Sequence, residues 1–521
     1  MVKQILQKDP RTGITYVYEA EIVWDKEKKQ SRYASRRMLG HLDETTGEIV
    51  ANRVRRPPAD TPRSARLFAG ATHLLSELAR ETGVSRDLAV ALESEDTAAA
   101  VESFAQFLIT AEPAPASRFP LWARTHAHPL GGELSSQRWS EVFASIGQPE
   151  AEAFFRARAK RASGAYWFFD TTSVSSYSRL LERVRWGKNK DGLPLPQINL
   201  AVVKDAGTGL PVGFKDLPGA VSDVSLVTGL IQDFRRLGAT KMKLCMDRGF
   251  YSKANIDALM GAHLKFLIGV RIGIGYVRHA IADHGHGLRS WEHWDDTRGL
   301  YGLRLDHPWA WDRSHPRADD EHQVKRSYLH LYFDPARAVD DEKAFATLLG
   351  QCSRELATGA TTDEHQTYYD RWFRHVKGRW AGDDEAIEAE RGRHGYFALL
   401  SNDATLDCWA TLDIYRAKDQ IEKAFHDVKD RLDFRTTAVH NQETLTGKLF
   451  AVFTALILTS ELRRRMRDSG LDQEHTITEL LDELETIEQH QSPGHQPRIP
   501  HVTKKQNDIY TRLDITPPAT S

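Results

Sequence analysis

Two apolar runs in this chain each end on a carboxylate: YWFFD closes at Asp170, and KMKLCMD closes at Asp247. A short apolar run bounded by polar residues reads as a buried strand. An unpaired ionised carboxylate in such a setting costs several kcal/mol or more. The aspartates either cap two unrelated strand ends and face water, or lie on adjacent strands of one sheet and share a positive partner. Side by side, two carboxylates repel unless a proton or a cation lies between them. Mg²⁺ is a suitable cation: it takes oxygen ligands from one or two carboxylates and completes its shell with water and phosphate.

The surrounding pattern is α/β. PQINLAVVKDAGTGLPVGFKDL reads as two strands joined by a Gly-rich turn. A helix over roughly 224–237 leads to KMKLCMD, and a second, starting near Ser252, leads to the strand KFLIGV. Upstream, residues 1–56 alternate in short stretches and predict a small β-rich module, and RRPPADTPRS is linker-like. Residues 65–160 carry helical spacing. Residues 165–272 and 396–470 read as two parts of one core, and 273–395 as an insertion holding a strand, SYLHLYF, and a helix. Residues 471–521 form a C-terminal extension whose polar, Pro-rich part predicts a loose tail.

A third element is a long amphipathic helix over 412–433. Tyr415, Lys418, Glu422 and Lys429 share one face of it, beside an apolar stripe of Ile421, Phe425, Val428 and Leu432. Docked by that stripe, the helix would aim a phenol, two ammonium groups and a carboxylate along the sheet contact. Lys418–Glu422 is equally an ordinary i,i+4 surface pair.

Together, DTTSVSSYS, GKNKDGLPLPQINLAVV, GLPVGFKDLPGAVSD, DRGFYSKANIDAL and YRAKDQIEKAFHDVK resemble successive blocks of bacterial DDE insertion-sequence transposases. The similarity is to insertion-sequence family four, the cut-and-paste group with a Y-x2-R-x3-E-x6-K signature. One position departs: Lys418 stands where the signature has Arg, which keeps the charge and loses the bidentate fork.

The resemblance implies an RNase H-like core interrupted by a β-containing insertion. It implies Asp170, Asp247 and Glu422 as catalytic residues and ligands of two divalent ions, Mg²⁺ or Mn²⁺. Tyr415, Lys418 and Lys429 would hold DNA phosphates. The expected partners are duplex DNA with terminal inverted repeats, target DNA and a second copy of the chain. It also implies a hairpin intermediate with a flipped base stacked on an aromatic residue, for which Trp291, Trp294, Trp309 and Trp311 are candidates. Residues 65–160 would recognise the DNA end. The competing functions are a catalytically silent DNA-binding regulator and an RNase H-like nuclease without strand transfer.

Bulk composition is compatible with this reading. The net charge is −2, yet the stretch 1–66 carries 14 Lys/Arg against 9 Asp/Glu, a local excess that suits phosphates or a solvated face. Cys245, Cys352 and Cys408 form no C-x-x-C pair, so neither a disulfide framework nor a zinc knuckle is expected. With no signal-peptide pattern and a longest apolar run, LFAVFTALIL, too short for a bilayer, the expected location is a bacterial cytoplasm, on the nucleoid when DNA is bound.

Overall fold

The computed structural model describes residues 2–8, 15–25, 30–42, 49–50, 64–111, 114–176, 178, 181–187, 194–220, 226–236, 238, 242–311, 323–418, 436–437, 441–492 and 494–520. Two compact units result, Met1–Ala65 with Gln491–Pro497, and Arg66–His490 with Arg498–Ser521.

The first unit holds an antiparallel sheet of β1 (Val2–Lys8), β2 (Thr15–Asp25), β3 (Gln30–Leu42) and β4 (Ile49–Val50), in that order. Val17 and Ala20 of β2 are buried. Register shifts at Val17/Tyr18 and Glu21/Ile22 mark irregularities in the β2–β3 ladder.

The second unit is built on a ten-stranded mixed sheet. Its strands are β5 (Tyr166–Ser176), β6 (Gln197–Asp205), β7 (Pro211–Pro218), β8 (Lys243–Met246), β9 (Lys265–Val270), β10 (Trp294–Asp295), β11 (Leu300–Asp306), β12 (Tyr328–Phe333), β13 (Tyr396–Ser401) and β14 (Thr436–Thr437). Their order is β10-β11-β12-β13-β9-β8-β5-β6-β7, with β14 beside β5. Only β5–β8, β8–β9 and β5–β14 run parallel among the described pairs.

Helices cover both faces. On one lie α1 (Gly70–Glu81), α2 (Val84–Leu92), α3 (Glu95–Thr110), α4 (Ser136–Ala144), α5 (Gln148–Arg161) and α13 (Gln442–Asp468), the last apolar on all sides and so buried. By length and composition α13 could cross a membrane, but its apolar stretch is largely enclosed by the protein. On the other face lie α6 (Leu226–Arg236), α7 (Lys253–Gly261) and α8 (Gly275–Leu288). Ser252 caps α7, its hydroxyl accepting from the Asn255 amide.

Residues 273–395 are not a separate body throughout. β10, β11 and β12 extend the central sheet, and every residue of β12 is buried. A smaller core of Phe345, Cys352, Tyr369, Trp372 and Ile387 joins α9 (Pro335–Thr358), α10 (Gln366–Trp372) and α11 (Asp384–Arg391). The C-terminal tail also differs from expectation. Thr503 and Gln506 form a capping box that starts a helix at Lys504, and Ile509, Tyr510 and Leu513 pack into the core. The Tyr510 hydroxyl donates to the Gly70 carbonyl at 2.8 Å. Polar flanks concealed this short apolar set in the sequence.

Candidate active site

Asp170 and Asp247 meet because β5 and β8 are neighbours in parallel register. Phe168 lies opposite Cys245 and Phe169 opposite Met246; Asp170 is the next residue of β5, and Asp247 follows the last residue of β8. Side chains alternate across a sheet. Tyr166, Phe168 and Cys245 face the α13 side, while Trp167, Phe169, Leu244 and Met246 face the α7 side. Both carboxylates therefore fall on the α13 side, about one strand spacing of 4.8 Å apart along the sheet.

The two residues reach this place differently. β8 stops at Met246, so Asp247 stands at a strand end as the sequence suggested. Asp170 does not: β5 continues to Ser176 through a buried, hydroxyl-rich half. What ends at Asp170 is its neighbour, and the shorter β8 opens the space there. The Thr171 amide donates to Asp170 Oδ1 at 2.7 Å.

α12 (Cys408–Ala417) brings the next groups. The Asp407 side chain caps it by accepting from the Ala410 amide, and Leu412 buries its inner face. The Tyr415 hydroxyl donates to Asp247 Oδ1 at 2.8 Å. Lys418, just past the helix end and nearly buried, holds its Nζ 3.9 Å from the same oxygen. Gly269, on β9, makes room for this approach: a Cβ there would lie 2.5 Å from the Tyr415 hydroxyl and 3.1 Å from the Arg248 amide nitrogen.

Electrostatics keep Asp247 ionised. Burial works to raise its pKa, and the Lys418 ammonium, the Tyr415 hydroxyl and Arg248 outweigh it, holding the carboxyl below its ordinary value. Burial and the Asp247 charge push the Tyr415 phenol up, so it stays a protonated donor. The Asp247 side chain remains 42% exposed. A carboxylate pair this open presents hard oxygen donors, the set that suits Mg²⁺ or Mn²⁺.

Glu422 and Lys429 lie outside the described residues, as does the stripe Ile421–Leu432. The chain is described again at Thr436–Thr437, paired in parallel with Ser175–Ser176 of β5. Of the tryptophans, Trp309 and Trp311 are tied to α7 through the Asp257 carboxylate and carbonyl at 2.8 and 2.9 Å. Trp294 rests on Tyr301, with ring centroids 4.8 Å apart, whereas Trp291 is 82% exposed. Gly269 and Arg248 were not singled out from the sequence, because their only signal is proximity to Asp247 in space.

Residues 168–458 match the family model described as the transposase DDE domain. The chain belongs to that family. No curated protein matches it. Among solved structures, this transposase-family chain is similar to the piggyBac transposase synaptic complex with hairpin DNA. That similarity has 10% identity and a TM-score of 0.37, and covers 80% of this chain and 78% of the other.

Proposed function

We propose that this transposase-family protein cuts and rejoins the ends of its own insertion-sequence DNA, with Asp170, Asp247 and Glu422 as a metal-binding triad. The observation that carries the reading is the juxtaposition of Asp170 and Asp247 on one face of the sheet, with Tyr415 and Lys418 turned onto Asp247. Glu422 follows Lys418 by four residues, so chain length alone keeps its Cα within about 14 Å of the Lys418 Cα.

When bound, a pair of divalent ions supplies polarisation of the scissile phosphate and activation of water or a DNA 3′-OH. The chain's own groups hold the carboxylates ionised and oriented. Tyr415 fixes one oxygen of Asp247. Lys418 offsets the carboxylate charge, and with Tyr415 and Lys429 it would contact phosphates near the transposon end. The finer expectations are part of the same proposal: family four membership, excision through a hairpin, a synaptic dimer, terminal inverted repeats, end recognition by residues 65–160, and Trp291 as the stacking residue of choice because its ring is exposed.

The test is a cleavage assay on DNA carrying the ends that flank the gene. The wild-type protein is expected to cut with Mg²⁺ or Mn²⁺ and to be inert in EDTA. Glu422→Gln is nearly isosteric and keeps a good helix former. It is expected to bind ends normally and to lose several orders of magnitude in cleavage. Cleavage in EDTA, or near-normal cleavage by Glu422→Gln, overturns the mechanism.

A further inference from the structure

A second basic site lies at the same end of the sheet as the carboxylates, on the opposite face. β13 runs antiparallel to β9, with Val270 opposite Ala398. Tyr396, at the start of β13, is therefore at the end where β8 closes on Met246. β13 is two strands from β8, about 10 Å at 4.8 Å per strand. There a cleft of about 640 Å³ opens between α8, α10 and α11, lined by Arg278, Arg289, Arg371 and Arg393 with His286 beside them. The cleft has a fixed wall: the Tyr396 hydroxyl donates to the Gly285 carbonyl at 3.0 Å, and Gly285 permits this because a Cβ would meet that hydroxyl at 2.7 Å.

Among the described residues, no carboxylate lines the cleft. Arg371 and Arg393 share one acid, Glu390. Arg278 and Arg289 have no carboxylate partner among the described residues. Arg289 instead lies over the rings of Phe333 and Tyr396, at 4.0 and 5.5 Å. Four guanidinium groups thus face one shared acid. Burial lowers the Arg393 pKa against the pull of Glu390, and the charges of Arg371 and Arg278 lower it further. Uncompensated like charges around a cleft call for an anion with several negative centres, and guanidinium groups match phosphate in geometry and charge.

We propose that this cleft binds backbone phosphates of duplex DNA, at a segment other than the one cut at Asp170 and Asp247. The DNA source rests on the transposase reading above; the phosphate chemistry does not. Duplex DNA carries one charge per about 1.7 Å of axis, so a duplex at the carboxylate end can present phosphates to a cleft this near.

The experiment uses the full chain in EDTA, with a fluorescent mixed-sequence duplex and a salt titration. Arg278→Gln/Arg289→Gln is expected to weaken binding about tenfold or more and to lower the salt slope by about 2, one unit per phosphate contact. Arg278→Lys/Arg289→Lys is expected to keep most of the slope, and so is Arg236→Gln/Arg467→Gln, which makes the same charge change on two exposed side chains elsewhere. Arg278→Gln alone, in an exposed side chain, is expected to lower the slope by about 1, which guards against misfolding of the double variant. Equal behaviour of the cleft and control variants overturns the proposal. So does stabilisation of the wild type by tripolyphosphate that the cleft variant loses without any change in DNA binding, because the site then serves a small phosphate ligand. A wild-type protein that binds DNA through these arginines but never cleaves upholds this inference and rejects the transposase mechanism.

Discussion

Asp247 and Asp403 are served by the same residue types at opposite ends of the sheet, and the comparison separates chemistry from architecture. Asp247 accepts from the Tyr415 hydroxyl and has Lys418 at 3.9 Å. Asp403, just beyond β13, accepts from the Tyr166 hydroxyl at 3.1 Å and pairs with Lys243 at 3.1 Å. Asp403 is closed: Oδ2 takes those two partners, while Oδ1 takes the Thr405 amide and hydroxyl, and the side chain is only 3% exposed. Asp247 stays 42% exposed with a looser lysine. A buried carboxylate with both oxygens satisfied holds strands together. One that is ionised, oriented and open can accept a ligand.

The sharpest break comes from exchanging the losses. Asp247→Asn is expected to cut end cleavage by several orders of magnitude while urea denaturation shows little change. Asp403→Asn is expected to do the reverse, costing about 2–3 kcal/mol in stability with cleavage per folded molecule intact. Loss of cleavage in folded Asp403→Asn protein would erase the distinction.

Acid should weaken the closed site through its effect on stability. Burial works to raise the Asp403 pKa, and Thr405 and Lys243 overcome it, bringing it down to about 2. An unfolded Asp titrates at about 3.9, so the unfolded chain takes the proton first as pH falls. The contribution of Asp403 is then fully present above about pH 4 and lost toward about pH 2. Asp403→Asn should flatten the stability–pH curve in that window relative to wild type, as read by urea midpoints.

Gly269→Ala has a smaller expected effect and acts on the open site alone. The new Cβ must displace the Tyr415 hydroxyl or the Arg248 backbone, at about 1–2 kcal/mol of stability and about tenfold in cleavage rate. An unchanged rate would show that Tyr415 does not position Asp247. The hydroxyls give the finest comparison. Tyr166→Phe is expected to cost about 1–2 kcal/mol, because it leaves an acceptor short inside a closed network. Tyr415→Phe is expected to cost under about 1 kcal/mol, because Asp247 can turn to water. Chemical denaturation of both variants measures the difference.

Much of this was legible in the residues. Strand and helix types from YWFFD to KFLIGV follow from apolar periodicity, a local property. The tail helix was hidden because its short apolar set gains stability only by docking: Gln506 donates to the Glu483 carbonyl, and the Tyr510 hydroxyl donates to the Gly70 carbonyl more than four hundred residues away. Within 273–395 the strand SYLHLYF was legible; that it joins the central sheet, with Trp294–Asp295 and Leu300–Asp306 as further strands, was not, because β-pairing is decided by the strand alongside. Lys418 could be named from spacing. That it is nearly buried, and sits 3.9 Å from Asp247, could not.

By itself, then, the sequence determined the strand and helix types from YWFFD to KFLIGV, and that two carboxylates would follow apolar runs. Those depend on the chemistry of near neighbours. The tertiary structure alone decided that β5 and β8 lie side by side in a register bringing Asp170 level with Asp247, that β8 stops while β5 continues, and that Asp403 is closed while Asp247 is open. Register, strand order and burial are set by contacts between residues far apart in the chain, and such contacts leave no periodic signal in either partner.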